Sequence, residues 1–499
     1  MGPDSNESGS IAMNTLSLIE PMLSTETVYL NGVDAVTGNY LVPPMLVSDI
    51  ANLARAELYG ARTEAVPRLA DIKTLGLPID RDPKDLCKAG WGIVFHTEEK
   101  QAVRDALEPL IDHRRSQVGD ENLVKVLDYK SGEGRAQWLA RFGVAAGTVD
   151  PTKVPYYLLF VGSPSQVPFT FSFLQDVEYA VGHLAFDSAE EYAAYSDNLV
   201  AYETKKRAIK NTREVLFFAT RHPLDGATHL SADKLVLPLA DGVPSNVSAP
   251  QSTPSKYGFR SRKIWGNDAT KSSLIAAIRG AHGGPPAILF SATHGVGRWP
   301  AGTPLQELNQ GALLCQDWPG VGQIAPAHYF SAEDIPQDAQ VQGVIAFLFA
   351  CYSVGTPQHD RYFHRYGSPA PEIAKSPFYA RLPQRLLTQK NGGALACVGH
   401  VERAWGYSIV SEGAGPQLQP FENALGSIMQ GVPLGHAIQD FNQKFAVLSA
   451  DLTALLEDMG YGAKVSEMDL ATRWIERNDA EGYLIFGDPA VRPRLEDLA

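Results

Sequence analysis

Cysteine is scarce in this chain: four in 499 residues, Cys87, Cys315, Cys351 and Cys397. No two form a C-x-x-C pair, so a disulfide framework or a zinc ribbon is not expected, and free thiols in a reducing cytoplasm are. Long apolar runs are missing too. No stretch approaches the ~18 uninterrupted apolar residues of a membrane span. Positive charge is in deficit, with 43 Lys and Arg against 56 Asp and Glu and a net charge of −13. A broad nucleic-acid-binding face needs clustered cations and is therefore not expected. The start, MGPDSNESGSIAMN, lacks the basic and apolar regions of a secretory signal. No G-x-S-x-G elbow or phosphate-binding G-x-x-x-x-G-K-[ST] loop occurs, and Gly295-x-Gly297 lacks the third glycine of a dinucleotide site. His359, Asp360 and His364 sit in a polar loop without ligand spacing. No metal or other cofactor is expected.

What is present is a chain rich enough in apolar residues, 44%, to bury large cores. Apolar runs such as 90–95, 214–219, 286–291, 344–350 and 393–398 read as buried strands, and 155–169 as a buried strand running into a loop. Amphipathic segments between them read as helices, at 101–115, 187–203 and 269–279, with Ser188 and Glu191 spaced as a capping box. This alternation predicts an α/β fold with a mainly parallel sheet flanked by helices. Three parts follow: an N-terminal extension over 1–87, a first α/β subdomain over 88–209 and a second over 210–499. The extension carries turns at Asn31-Gly32 and Thr37-Gly38 and a helix over 46–58. Segments 222–262 and 296–327 read as long loops, which are often functional in compact domains.

Ligands of an open parallel sheet bind beyond the carboxyl ends of its strands. Two strands here end in chemistry: Ser291-Ala292-Thr293-His294-Gly295 and Phe349-Ala350-Cys351-Tyr352-Ser353. Neighbouring strands would bring His294 and Cys351 to one edge, where imidazole supplies the base that a thiol needs. Taken singly, each has a plainer meaning: a small buried thiol and a loop histidine with its hydrogen bonds satisfied.

The same stretches carry a resemblance. ILFSATHGVG, FLFACYSVGTP, GGALACVGHVERAWGYS and LIFGDPAVRP, in that order, resemble the caspase-like cysteine peptidases of clan CD, in the gingipain-like and CHAT-domain branch. LLFVGSPSQVPF and the segment 179–203 resemble the non-catalytic first subdomain of gingipain-like proteins. The likeness covers about 88–495. It implies a caspase-like catalytic domain with Cys351 as nucleophile and His294 as general base and acid. Peptide bonds would be hydrolysed through a thioester, with the N–H groups of Gly295 and Cys351 as oxyanion donors. It names no third catalytic side chain. Cleavage after Arg or Lys is expected if Asp225 or Asp233, in the loop after the first catalytic strand, lines the substrate pocket. Those aspartates could equally be turn formers or helix caps. Trp405 could wall the pocket or simply pack. The caspase signature around the cysteine is absent, and Gly182-His183 stands where gingipain-like chains often have Gly-Arg. The expected partners are a protein or peptide substrate and a regulatory protein; residues 1–87 could cover the site. A catalytically silent adaptor of the same fold is the alternative.

Overall fold

The computed structural model describes residues 27–29, 31–60, 77–243, 249–281, 283–362, 369–411 and 415–499. Fourteen strands build the site and its support. They are β1 (Val33–Asp34), β2 (Trp91–His96), β3 (Val124–Tyr129), β4 (Tyr157–Val161), β5 (Ala180–Leu184), β6 (Thr212–Ala219), β7 (Arg260–Trp265), β8 (Pro286–Ala292), β9 (Gly295–Gly297), β10 (Ala312–Leu314), β11 (Tyr329–Phe330), β12 (Ile345–Phe349), β13 (Ala396–His400) and β14 (Tyr483–Gly487). Six helices matter here: α1 (Val47–Gly60), α2 (Gln101–Val118), α3 (Ala189–Glu203), α4 (Gln419–Met429), α5 (Gln439–Gly460) and α6 (Glu467–Gly482).

Ten strands form one sheet in the order β3-β2-β4-β5-β14-β13-β12-β8-β6-β7. All pairings are parallel except β13 with β14. The strands of the two α/β units therefore run in opposite senses within a continuous sheet. β14, the last strand of the chain, joins them. The central strands are buried from end to end, as a sheet covered by helices on both faces requires. Ser188 caps α3, its side chain accepting from the Glu191 N–H, as the capping-box spacing implied.

The junction is built on the Gly-Asp-Pro of the closing strand. The buried Asp488 carboxylate accepts hydrogen bonds from Trp91 Nε1 (3.1 Å), Arg114 Nε (2.9 Å) and the Ala490 N–H (2.9 Å). Arg114, on α2, also pairs with Glu203 at the end of α3. Gly182 is glycine because a side chain there would stand 2.2 Å from the Gly487 carbonyl oxygen.

Neither predicted loop is wholly a loop: 296–327 holds most of β9, a short helix at Pro304–Asn309 and β10. Much of 222–262 is helical, continuous from Gly226 to Asp241, and β7 closes it. Asp225 caps that helix, and Leu230, Leu235, Val236 and Leu239 turn inward. The Pro, Ser and Asp content hid this apolar face, because Ser231, Asp233 and Pro238 interrupt it in sequence.

Candidate active site

His294 follows β8 and Cys351 follows β12, and these strands are adjacent and parallel, in register from Ile288–Ile345 to Ala292–Phe349. The two residues leave the sheet at the same edge. Their main chains touch: a side chain on Gly295 would stand 1.8 Å from the Cys351 carbonyl oxygen and 2.8 Å from its nitrogen. Only glycine permits that approach. It places the segments bearing both expected oxyanion donors side by side.

The His294 ring is held at both nitrogens. Nδ1 accepts the Gly32 N–H at 2.7 Å, and Nε2 lies 2.7 Å from Asp225 Oδ2. An amide N–H can only donate, so Nδ1 is unprotonated and Nε2 carries the proton to Asp225. Asp225 is further bound by Tyr40 Oη (2.5 Å), Thr228 Oγ1 (2.8 Å) and the Ala227 N–H. Burial alone would raise its carboxyl. The charge that His294 gains on protonation, with hydrogen bonds from His294, Tyr40 and Thr228, outweighs burial and holds it well below the usual carboxylate range.

Cys351 Sγ accepts the Ala404 N–H at 3.3 Å. The thiol has no exposed surface, and burial pushes it up to about 12, against the lowering effect of Ala404 and Arg403. What covers it is the N-terminal extension. A methyl group added to Gly32 would lie 3.0 Å from Cys351 Sγ. β1 pairs in parallel with β9, Val33 with Val296 and Asp34 with Gly297, so the extension runs along the strand that follows His294. Tyr40 sets its ring edge against the His294 ring, 5.7 Å between centroids.

The cysteine is positioned by strained loops. Tyr352 and Glu402 both adopt left-handed backbone, φ 57° and 70°, which is costly for non-glycine residues and clusters at functional sites. The Tyr352 N–H donates to the Glu402 carbonyl at 2.5 Å, tying the loop after β12 to the loop after β13. Arg403, buried beside them, pairs with Asp360 and Glu402. Burial raises the Glu402 carboxyl to about 8, the Arg403 charge opposing. A crevice of about 420 Å³, lined by His359, Arg361, Tyr362 and Glu402 among others, adjoins this loop; neither His294 nor Cys351 lines it.

The remaining expected site residues do not line a substrate pocket. Asp225 is a helix cap, one of the two roles open to it, and its carboxylate is engaged by His294 rather than facing a substrate pocket. Asp233 forms an ion pair with Arg221 (3.0 Å), which occupies the charge that would select Arg or Lys. Trp405 is fully buried and packs edge-on against Tyr362 and Trp474. Sequence reasoning did not find the His294–Asp225 pair, nor Tyr40 and Gly32 at the ring. The available signal for Asp225 was its place just after β6, two strands from β12 at the same sheet edge.

A model of peptidase family C25 matches residues 93–494. The chain belongs to this family, the gingipain family of clan CD cysteine peptidases. The C25 peptidase has the mainly parallel, helix-flanked sheet of a caspase-like fold. No curated protein matches it. A solved structure titled "Structure of Protease" is similar at 10% identity and a TM-score of 0.43, over 81% of this chain and 78% of that one. The extension that occupies the site, residues 27–54, lies outside the matched family span.

Proposed function

We propose that this C25 peptidase is a cysteine endopeptidase in which Cys351 is the nucleophile, His294 carries the proton and Asp225 orients His294. The observation that carries the reading is that His294 Nδ1 and Cys351 Sγ converge on one stretch of main chain, at Gly32. His294 takes the thiol proton at Nδ1, and Asp225 stabilises the imidazolium through Nε2. The thiolate adds to a peptide carbonyl, and the N–H groups of Gly295 and Cys351 are the proposed donors to the oxyanion. His294 returns the proton to the leaving nitrogen, and water hydrolyses the thioester. The substrate is a protein or peptide. With Asp233 paired to Arg221 and Asp225 to His294, neither aspartate supports the expected preference for Arg or Lys. The N-terminal extension is the regulatory element of this reading, since it must leave before another chain can enter.

The test is turnover of a mixed fluorogenic peptide library by the purified full chain. Activity that disappears in Cys351→Ala and His294→Ala is the expected result. No turnover under any condition, together with a Cys351 that resists a peptidyl-ketone probe, would favour the silent adaptor instead.

A further inference from the structure

Besides His294, the Cys351 sulfur has a second close neighbour, Ala404, in the loop after β13. The Ala404 N–H donates to Sγ at 3.3 Å, and the thiol faces the carbonyl of the same residue at 3.9 Å. Once the thiol has given up its proton, the N–H becomes a charge-assisted donor to the sulfur. A donor aimed at the anion favours the anion, and this one opposes the burial that pushes the Cys351 thiol up. Its aim matters, because a hydrogen bond weakens steeply as its angle closes.

Alanine has no polar side chain with which to fix its own peptide, so the loop is held by others. On one side the Tyr352 N–H donates to the Glu402 carbonyl, and the Glu402 N–H donates to the Gly355 carbonyl at 3.0 Å. Arg403 pairs with Asp360. On the other side stands Asp479, buried in the last turn of α6. Its Oδ1 accepts the Trp405 N–H at 2.7 Å, one residue beyond Ala404, and lies 3.2 Å from His400 Nε2 at the end of β13. A carboxylate oxygen only accepts, so Nε2 carries the proton. One oxygen thus clasps the loop at residue 400 and at residue 405. The helix end that bears it is itself fixed: the Val401 N–H donates to the Gly482 carbonyl at 2.9 Å, and Arg361 pairs with Glu481 at 2.8 Å. The clasp carries a charge that works against the sulfur. Asp479 and Glu402 raise the thiol, and Arg403 lowers it together with the Ala404 N–H. Tyr352, on the same turn as the cysteine, and His294, across Gly32, complete the titratable groups facing Cys351. Those facing Asp479 are His400 on β13 and Tyr483 on β14. An asparagine oxygen would accept the same two hydrogen bonds without the charge.

We propose that Asp479 is a positioning residue of this peptidase: by holding His400 and Trp405 it aims the Ala404 N–H at Cys351 Sγ, and that N–H is the group that stabilises the thiolate. This rests on the proposed function. After His294 takes the thiol proton, the sulfur keeps the Ala404 N–H until it bonds to the substrate carbonyl carbon. When water cleaves the thioester, the sulfur leaves as a thiolate and regains the same donor. Asp479 acts only through the loop.

The experiment measures the pH dependence of Cys351 alkylation by iodoacetamide in the purified full chain. The Cys351 peptide is read by mass spectrometry, which keeps the exposed Cys87 out of the signal. Asp479→Asn and Asp479→Ala both remove the charge, and only asparagine keeps the two hydrogen bonds, so the difference between them isolates the aim of the Ala404 N–H. The midpoint of the Asp479→Ala profile is expected to lie above that of Asp479→Asn by about half a pH unit or more. In hydrolysis of a mixed fluorogenic peptide library, Asp479→Ala is expected to lower kcat on the order of 10²-fold, with Asp479→Asn within about tenfold of the wild type. Should the alanine variant not fold, Asp479→Glu repeats the comparison against the wild type: it keeps the charge and displaces the oxygen, and its midpoint is expected to rise. A tie that serves stability alone would lower Tm and leave the compared midpoints equal, and that result overturns the inference. Alkylation needs no turnover, so the two readings fail separately. Equal midpoints in an active peptidase would remove the clasp and leave the peptidase. Shifted midpoints in a chain that hydrolyses no peptide would keep the clasp on the thiol and sink the peptidase reading.

Discussion

The two halves of the sheet are equally buried and differently strained. Both carry unpaired polar atoms: in the first half, over 88–203, Arg114 answers Asp488 and Glu203, but His183 bonds the Ile485 carbonyl through Nδ1 and leaves Nε2 unbonded, as are both amide atoms of Gln175. In the second half Glu402 is buried with one oxygen unpaired, and His222 has neither ring nitrogen bonded. Backbone strain does divide them. Among the described residues the non-glycine residues with positive φ are Lys205, Leu224, Arg298, Tyr352 and Glu402, and of these Lys205 alone falls in the first unit, at its end beyond α3. Two of them flank Cys351 in space. Burial alone therefore does not separate His294 from His183, both 1% exposed. The difference is that His183 sits within a strand, where burial lowers it to about 4, while His294 leaves one and meets a carboxylate. Backbone strain collects where the chemistry is proposed, and the first half is a brace.

The largest test of this division compares two buried thiols. Cys351→Ala is expected to lower peptide hydrolysis by on the order of 10⁴-fold or more. Cys397, inside β13, is expected to cost about 1 kcal/mol of stability as Cys397→Ala and to leave turnover within a few-fold. Steady-state rates and a urea titration of both variants decide it. Comparable activity losses would erase the distinction between a strand's end and its interior. Next come two aspartates. Asp225→Asn keeps the shape but no longer fixes the Nε2-protonated tautomer, and kcat should fall on the order of 10³-fold with little change in KM. Asp233→Asn breaks only a partly exposed pair with Arg221 and should change rates less than threefold.

Much of this division was legible in the sequence. Apolar runs located the core strands, and the interruptions at His294 and Cys351 marked the edge, because a buried strand does not end on such residues by pattern alone. The α1 helix was visible from its apolar spacing. Asp225 was visible as a pocket candidate or as a turn former or cap, but not as the partner of His294, which lies 69 positions away with no local rule linking them. That the extension could cover the site was expected by analogy, but its contact residues were out of reach for the same reason: Asn31-Gly32 reads as a hairpin turn, and nothing local says that His294 faces it. The helix over 226–241 was lost to composition, which averages out a narrow apolar face.

The junction between the halves is expected to be the costliest structural site outside the cleft. Asp488→Ala removes an acceptor from both Arg114 and Trp91 and leaves the buried guanidinium to Glu203 alone, an effect of about 3 kcal/mol. A thermal melt should show a large drop in Tm for the entire chain. Two transitions would mean instead that the halves fold separately and that Asp488 only docks them.

The smallest effects are expected from pH, where two buried glutamates should respond with opposite sign. In Glu203, burial would raise the carboxyl, but Arg114 and His113 outweigh it and hold it at about 2. A depressed carboxyl stabilises the fold above its unfolded value, near 4.5, and that contribution is lost as pH falls through about 2. Glu402 is the reverse. Its folded value of about 8 lies above the unfolded one, so its contribution is whole below about 4.5 and is lost as pH rises through 8. Glu203→Gln should therefore lower Tm at pH 7 and converge on the wild type at low pH. Glu402→Gln should match the wild type near pH 5 and gain on it toward pH 9, because the amide has no proton to lose beside Asp360. Melting curves at pH 5, 7 and 9 test both. A Glu402→Gln curve parallel to the wild type across that range would mean that Glu402 is ionised in the fold, and the contrast between a charged brace and a neutral site loop would fall with it.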